Sequence, residues 1–137
     1  MTPCARPVLL LALLASCAPA RPPAPPAPRP DPRLMEAIAM AASQIRPCYR
    51  APMRISHAAR RIVTVLGVHF APDGSLVGLP EVRAQRGVTP ENQVYAPAMA
   101  EAAGLAVLHC SPLHLPPDTY AGGWDDFELT FSFSAVA

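Results

Sequence analysis

The sequence predicts an α+β domain of order αββαβ: a three-stranded antiparallel sheet with two helices packed on one face, and one disulfide. Three observations predict it. Apolar residues recur at helical spacing after Asp31-Pro32, and a β-branched run over residues 61–70 enters Pro72-Asp73-Gly74. Residues 127–134 alternate strictly between apolar and polar, the pattern of a half-buried strand.

Asp31 as N-cap with Pro32 in the first turn starts a helix. Leu34, Ile38, Ala41 and Ile45 line one side of it, and Pro47 stops it, so the first helix covers residues 32–46 with Cys48 just past its end. In the strand over 61–70, Ile62, Thr64, Leu66, Val68 and Phe70 share a face. Pro72-Asp73-Gly74 then makes a tight hairpin, with Gly in the left-handed position. A second, less regular strand is expected over 76–85, with Pro80 placing it at an edge or a bulge. Thr89-Pro90-Glu91 is another N-cap signal. Because Pro97 interrupts a continuous helix, a short turn should precede the main helix over 97–109. Met99, Ala102, Ala103, Ala106 and Cys110 give that helix a small-residue face suited to lying close on a sheet.

The chain has 137 residues and a formal net charge of +1, which argues against nucleic acid as a partner. Charge is uneven, however. Arg46, Arg50, Arg54, Arg60, Arg61, Arg83 and Arg86 crowd the first part of the domain, while Glu91, Glu101, Asp118, Asp125, Asp126 and Glu128 follow it. Such segments either form solvated surface or present a patch to a partner.

The front of the chain is expected to lie outside the domain. Residues 1–16 carry Arg6 and an apolar run over 8–15, too short to span a bilayer but of signal-peptide length. Leu14-Ala15-Ser16-Cys17 resembles a bacterial lipobox, which implies cleavage before Cys17 and lipidation of its thiol. Ala18 beside it matches outer-membrane sorting; an ordinary cleaved signal is the plainer alternative. Residues 17–32 would then be the lipidated Cys and a Pro-rich stalk. The eight prolines of residues 18–32 favour an extended polyproline conformation. Its reach is roughly 45 Å. A PxxP ligand is the alternative use of that tract. Residues 33–137 remain for the domain, about 105 residues and one modest core.

Four cysteines are present. Cys4 leaves with the signal and Cys17 is consumed by lipid, so Cys48 and Cys110 are the pair left for a disulfide in an oxidising compartment. A metal site is the competing use, but CxxC, HxxxH and HExxH spacings do not accompany them.

Taken in order, Cys48-Tyr49 after the first helix, the strand into Pro72-Asp73-Gly74, the Ala-rich helix into Cys110-Ser111-Pro112, Leu115-Pro116, Tyr120, Trp124 and the Phe-rich last strand resemble the C-terminal periplasmic domains of TolA and TonB, the TolA-like branch best. The likeness spans residues 33–134. It implies the αββαβ fold, the Cys48–Cys110 bridge, and binding of Tol- or Ton-system envelope proteins in the periplasm by adding their extended segments to a sheet edge. The expected partner-binding strand is Phe127, Glu128, Leu129, Thr130, Phe131, Ser132 and Phe133; a plainly buried core strand is the alternative. Family members that transduce energy carry a membrane helix with a His and a long periplasmic spacer. No His precedes His57 here, so the chain reads as a binding head on a lipid anchor at the outer membrane. A structural outer-membrane lipoprotein that keeps the fold but binds other envelope components is the second reading.

No catalytic residue, cofactor or metal is expected. His57, His69, His109 and His114 are scattered, Asp125-Asp126 point apart on a strand, and Ser111 lacks a GxSxG setting. Tyr120 and Trp124 near Gly122-Gly123 read as core packing or as partner contacts.

Overall fold

The computed structural model describes residues 22–29, 31–117 and 126–137. The expected signal segment, Cys17, Asp118, Tyr120, Trp124 and Asp125 lie outside these. Residues 22–29 are exposed and form no regular element.

The fold is α+β in the expected order: α1 (Pro32–Ile45), β1 (Val63–His69), β2 (Glu81–Arg86), α2 (Ala96–Cys110) and β3 (Asp126–Phe131). The sheet is antiparallel with order β2-β1-β3, so β1 is central and the other two strands end the sheet. Asp31 caps α1 by accepting the Arg33 N–H (2.9 Å), and Ala37, Ala41, Ala42 and Ile45 are the side it buries. A 3-10 turn, Arg46–Cys48, follows directly.

Thr64, Leu66, Val68 and Phe70 all point into the interior, as their alternation requires. Ala37, Ala41, Ile45, Ala103, Ala106 and Val107 of the helices meet Leu66, Val68, Phe70, Phe127, Leu129 and Phe131 of the sheet in one core. Alanines on both helices let the backbones come close, and the aromatic residues of the sheet supply the volume. Phe70 and Phe127 stack with centroids 5.7 Å apart, and Tyr49 meets Phe131 edge-on at 5.3 Å. The Tyr49 hydroxyl is buried without a hydrogen-bond partner among the described residues, and burial pushes its pKa above the ordinary value.

The hairpin tip forms as its residues dictate. Gly74 donates to Ala71 (2.8 Å) and adopts φ +83°, and Ala71 donates to Ser75 (2.8 Å). The Asp73 carboxylate accepts from the hydroxyl (2.6 Å) and N–H (2.9 Å) of Ser75, and these two bonds hold its pKa below the usual carboxylate value. The tip is docked: Leu113 donates to the Gly74 carbonyl at 2.8 Å, and a Cβ at Gly74 would strike the Leu113 backbone.

Two strands are shorter than their patterns suggest. Only the bridge Phe70↔Leu76 forms beside the tip; the chain then loops out and re-enters the ladder as β2 at Glu81. Gly78, with φ +73°, and Pro80 break the run between them. The ladder shifts again between Val65 and Leu66, which marks a bulge in β2. The last strand stops at Phe131 rather than 134. Ser132 turns the chain by donating its N–H to the Ala135 carbonyl and accepting the Ala135 N–H on its hydroxyl. The helix after Pro97 is as expected, preceded by a 3-10 turn, Gln93–Tyr95. Neither the 3-10 turn nor the helix has a side-chain cap; buried Asn92 instead braces the loop before them. Its carboxamide donates to Ala58 and Gly87 (2.9 and 2.8 Å) and accepts the Thr89 N–H (2.7 Å).

Cys48 and Cys110 form a disulfide with Cα atoms 5.9 Å apart and a sequence separation of 62. Closing a loop of that length restricts the unfolded chain by about 4 kcal/mol. The Cys48→Ser, Cys110→Ser double variant should therefore lose stability on that scale, read as a lowered urea midpoint. An unchanged midpoint would remove the disulfide from the list of supports.

Candidate partner-binding site

A three-stranded sheet with helices on one face has two strand edges. The structure treats them differently, and backbone polarity shows how.

On the β3 side, the Thr130 N–H donates to the Ala137 carbonyl (2.6 Å), and the Ala137 N–H donates back to Thr130 (2.9 Å). Val136 is buried and bridges Phe131, and Arg46 donates to the Val136 carbonyl at 3.5 Å. Residues 135–137 therefore cover the outer edge of β3 at its end. Since Thr130 turns its backbone groups outward, the alternate residues Glu128 and Asp126 do the same, and only they are left uncovered by those residues.

The strand predicted to bind partners is thus divided. Phe127, Leu129 and Phe131 face the core and turn their backbone groups to β1. Glu128 is exposed at the open part of the edge, Thr130 is paired to Ala137, and Ser132 and Phe133 lie beyond the strand. Phe133 lies under the Arg60 guanidinium, 4.8 Å from its ring centre.

On the β2 side, Thr130 and Val65 are opposite each other, so Val65 turns away from β3 and toward β2. Consistent with this, the His69 carbonyl accepts the Val77 N–H at 2.8 Å. Thr64 and Leu66 turn the other way, so their partners Gln85 and Val82 point their backbone groups outward. Among the described residues no strand lies beyond β2.

Beside this open edge runs a groove of about 330 Å³ between β2 and α2, lined by Leu79, Pro80, Val82, Ala100, Glu101, Gly104, Leu105 and Leu108. Four of these are large apolar side chains left in solvent: Leu79 is 74% exposed, Val82 52%, Leu105 42% and Leu108 41%. The sequence reading missed this site. Its signal was present in α2, where Leu105 and Leu108 are apolar off the small-residue face.

The charge asymmetry along the sequence becomes an asymmetry along the sheet. Arg60, Arg61 and Arg86 stand at the end where β1 begins, and Asp73 and Asp126 at the end where it finishes. Only two ion pairs occur among the described residues: Arg83 with Glu81 (3.4 Å) and His69 with Asp126 (3.7 Å), all four side chains well exposed. Each contributes little in that setting. His57 and His109 are exposed, and the backbone of His114 is held by Gln44, which bonds to both its N–H and its carbonyl. Among the described residues, no group of three His, Cys, Asp or Glu could hold a metal, and no helix is long and apolar enough to cross a membrane.

No known protein family, curated protein or solved structure matches the chain. The TolA/TonB likeness rests on the order and spacing of residues alone.

Removing residues 135–137 should bare the Thr130 N–H and empty the Val136 site. Amide exchange at Thr130 should accelerate, and stability should fall by about 1–3 kcal/mol. Unchanged exchange at Thr130 would contradict the pairing.

Proposed function

We propose that this chain is a periplasmic protein-protein interaction module of the bacterial cell envelope. It resembles the binding heads of TolA and TonB and is held by a lipid on Cys17. It binds by accepting an extended segment of an envelope protein as an added strand. The observation that carries this reading is the sheet itself: its helices lie on one face, and its terminal strands keep outward backbone donors and acceptors. An added strand satisfies those groups, and neighbouring side chains then select the sequence. The disulfide supports the reading as well, because an exported chain meets conditions in which such a bond persists. Catalysis, metal and cofactor have no part in it.

The test is amide exchange of the purified full chain mixed with purified Tol- and Ton-system periplasmic proteins. Binding should newly protect edge amides, either Val82 and Gln85 or Asp126 and Glu128. Failure to bind any of these proteins would overturn the reading. Thr130→Pro is a poor probe, because the Thr130 N–H is already bonded within the chain; Glu128→Pro addresses the open part of that edge. Mass spectrometry of the protein purified from its host membranes should find Cys17 as an acylated N-terminal residue. An unmodified Cys17 would remove the lipid anchor.

A further inference from the structure

We infer that the docking edge is β2, and that its occupant is an extended protein segment with apolar side chains on one side and carboxylates on the other. This rests on the binding-module reading and names its edge and its partner chemistry.

Three observations converge on the same strand. The first is backbone polarity. Val82 and Gln85 turn their N–H and carbonyl groups away from β1, whereas the β3 edge is partly closed by residues 135–137. Only an extended backbone can satisfy a row of such groups.

The second is the groove. Val82 lies opposite Leu66, and Gln85 opposite Thr64, so both point to the helix side of the sheet. The Gln85 side chain is already engaged, donating to Thr64 (3.0 Å) and to the Ala96 carbonyl (2.8 Å). It ties β2 to the start of α2. From there Val82, Leu79, Leu105 and Leu108 form an open apolar wall, and a Cβ at Gly104 would meet nothing within 4 Å. Alternate side chains of a strand laid along β2 enter this groove, and covering such residues favours apolar ones.

The third is charge on the opposite face. Arg86 pairs with Val63 and Glu81 with Gly67, which places both on the side away from the helices. Arg83 lies across Gly67, whose missing side chain leaves it a slot. Arg83 already has Glu81 beside it, but Arg86 has no acidic partner among the described residues; the acids of β3 on this face, Asp126 and Glu128, lie across β1 at the other edge. The alternate side chains of an added strand project beside Arg83 and Arg86. Carboxylates there complement it, and Lys or Arg would be repelled.

The probe is a fluorescein-labelled heptapeptide alternating Leu or Val with Asp or Glu, titrated into the purified full chain and followed by anisotropy. A matched peptide with Lys replacing each acid serves as control. The acidic peptide should bind, more weakly as salt rises, and the Lys peptide should bind at least about tenfold less well. Val82→Asp and Arg86→Glu alter exposed side chains, so the fold should survive; circular dichroism and an intact disulfide check this. Each should weaken binding by about tenfold, while Glu128→Pro should leave it unchanged.

If Glu128→Pro abolishes binding and the β2 variants do not, the β2 assignment falls and the module reading stands at the other edge. Equal binding of the acidic and Lys peptides overturns the partner chemistry. Binding of Tol- or Ton-system proteins without any binding of the acidic peptide overturns this inference alone. Failure of those proteins as well brings down the module reading with it.

Discussion

Cys48 follows α1 immediately, and Cys110 is the last residue of α2. Joining them fixes where the two helices finish relative to each other, and both lie on the same face of one small sheet. The contacts between the helices are mostly alanine, which buries little area per residue. A covalent tie offsets that shortfall by restricting the unfolded chain. Beyond it, Leu113 closes onto Gly74 and Gln44 holds His114 by two hydrogen bonds, so the chain leaving α2 fastens the hairpin tip and α1 together. The core depends on that corner more than on any one apolar contact.

A domain this small cannot hide both ends of a sheet with two helices. Its two edges are managed by different means. Residues 135–137 fold back on β3 and bury Val136 there, an internal strand addition in miniature. At β2 the protection is a bulge with Arg83 and Arg86, devices that discourage indiscriminate pairing without occupying the edge. An edge guarded by charge remains available to a segment of the complementary charge. Protection against aggregation and selectivity for a partner then come from the same side chains.

Much of this fold was legible in the sequence because the relevant signals were local. Asp31-Pro32, Pro72-Asp73-Gly74 and the alternation around Leu129 each specify a backbone geometry within a few residues. The disulfide followed from counting cysteines. What the sequence left hidden depended on contacts between distant segments. Alternation continues through Phe133 and Ser134, yet the strand ends at Phe131 because Ser132 and Ala135 close a turn that returns Val136 to the core. Likewise Leu76 and Val77 read as strand, but Gly78 and Pro80 divert the chain until Glu81. The candidate site shares this limit. That the last strand ends the sheet follows from the αββαβ order. That its outer groups are partly taken, while those of β2 are open beside a leucine-lined groove, depends on register and on where residues 135–137 fold back.

All eleven basic residues are arginine, and the sheet gives that bias a physical role. Among the described residues both long helices pack on the other face of the sheet, yet Val65 and Gly67 on this face are buried. Arg83 lies along Gly67, and Arg60 covers the ring of Phe133. A planar guanidinium on an apolar stem can lie flat on such a surface and keep its charge in water; a lysine ammonium is more strongly hydrated and does so less well. Arginine thus covers part of this face with side chains that remain cationic. Once arginine is used as a lid, Arg83 and Arg86 leave the β2 edge cationic, and the preference of that edge for acidic segments follows.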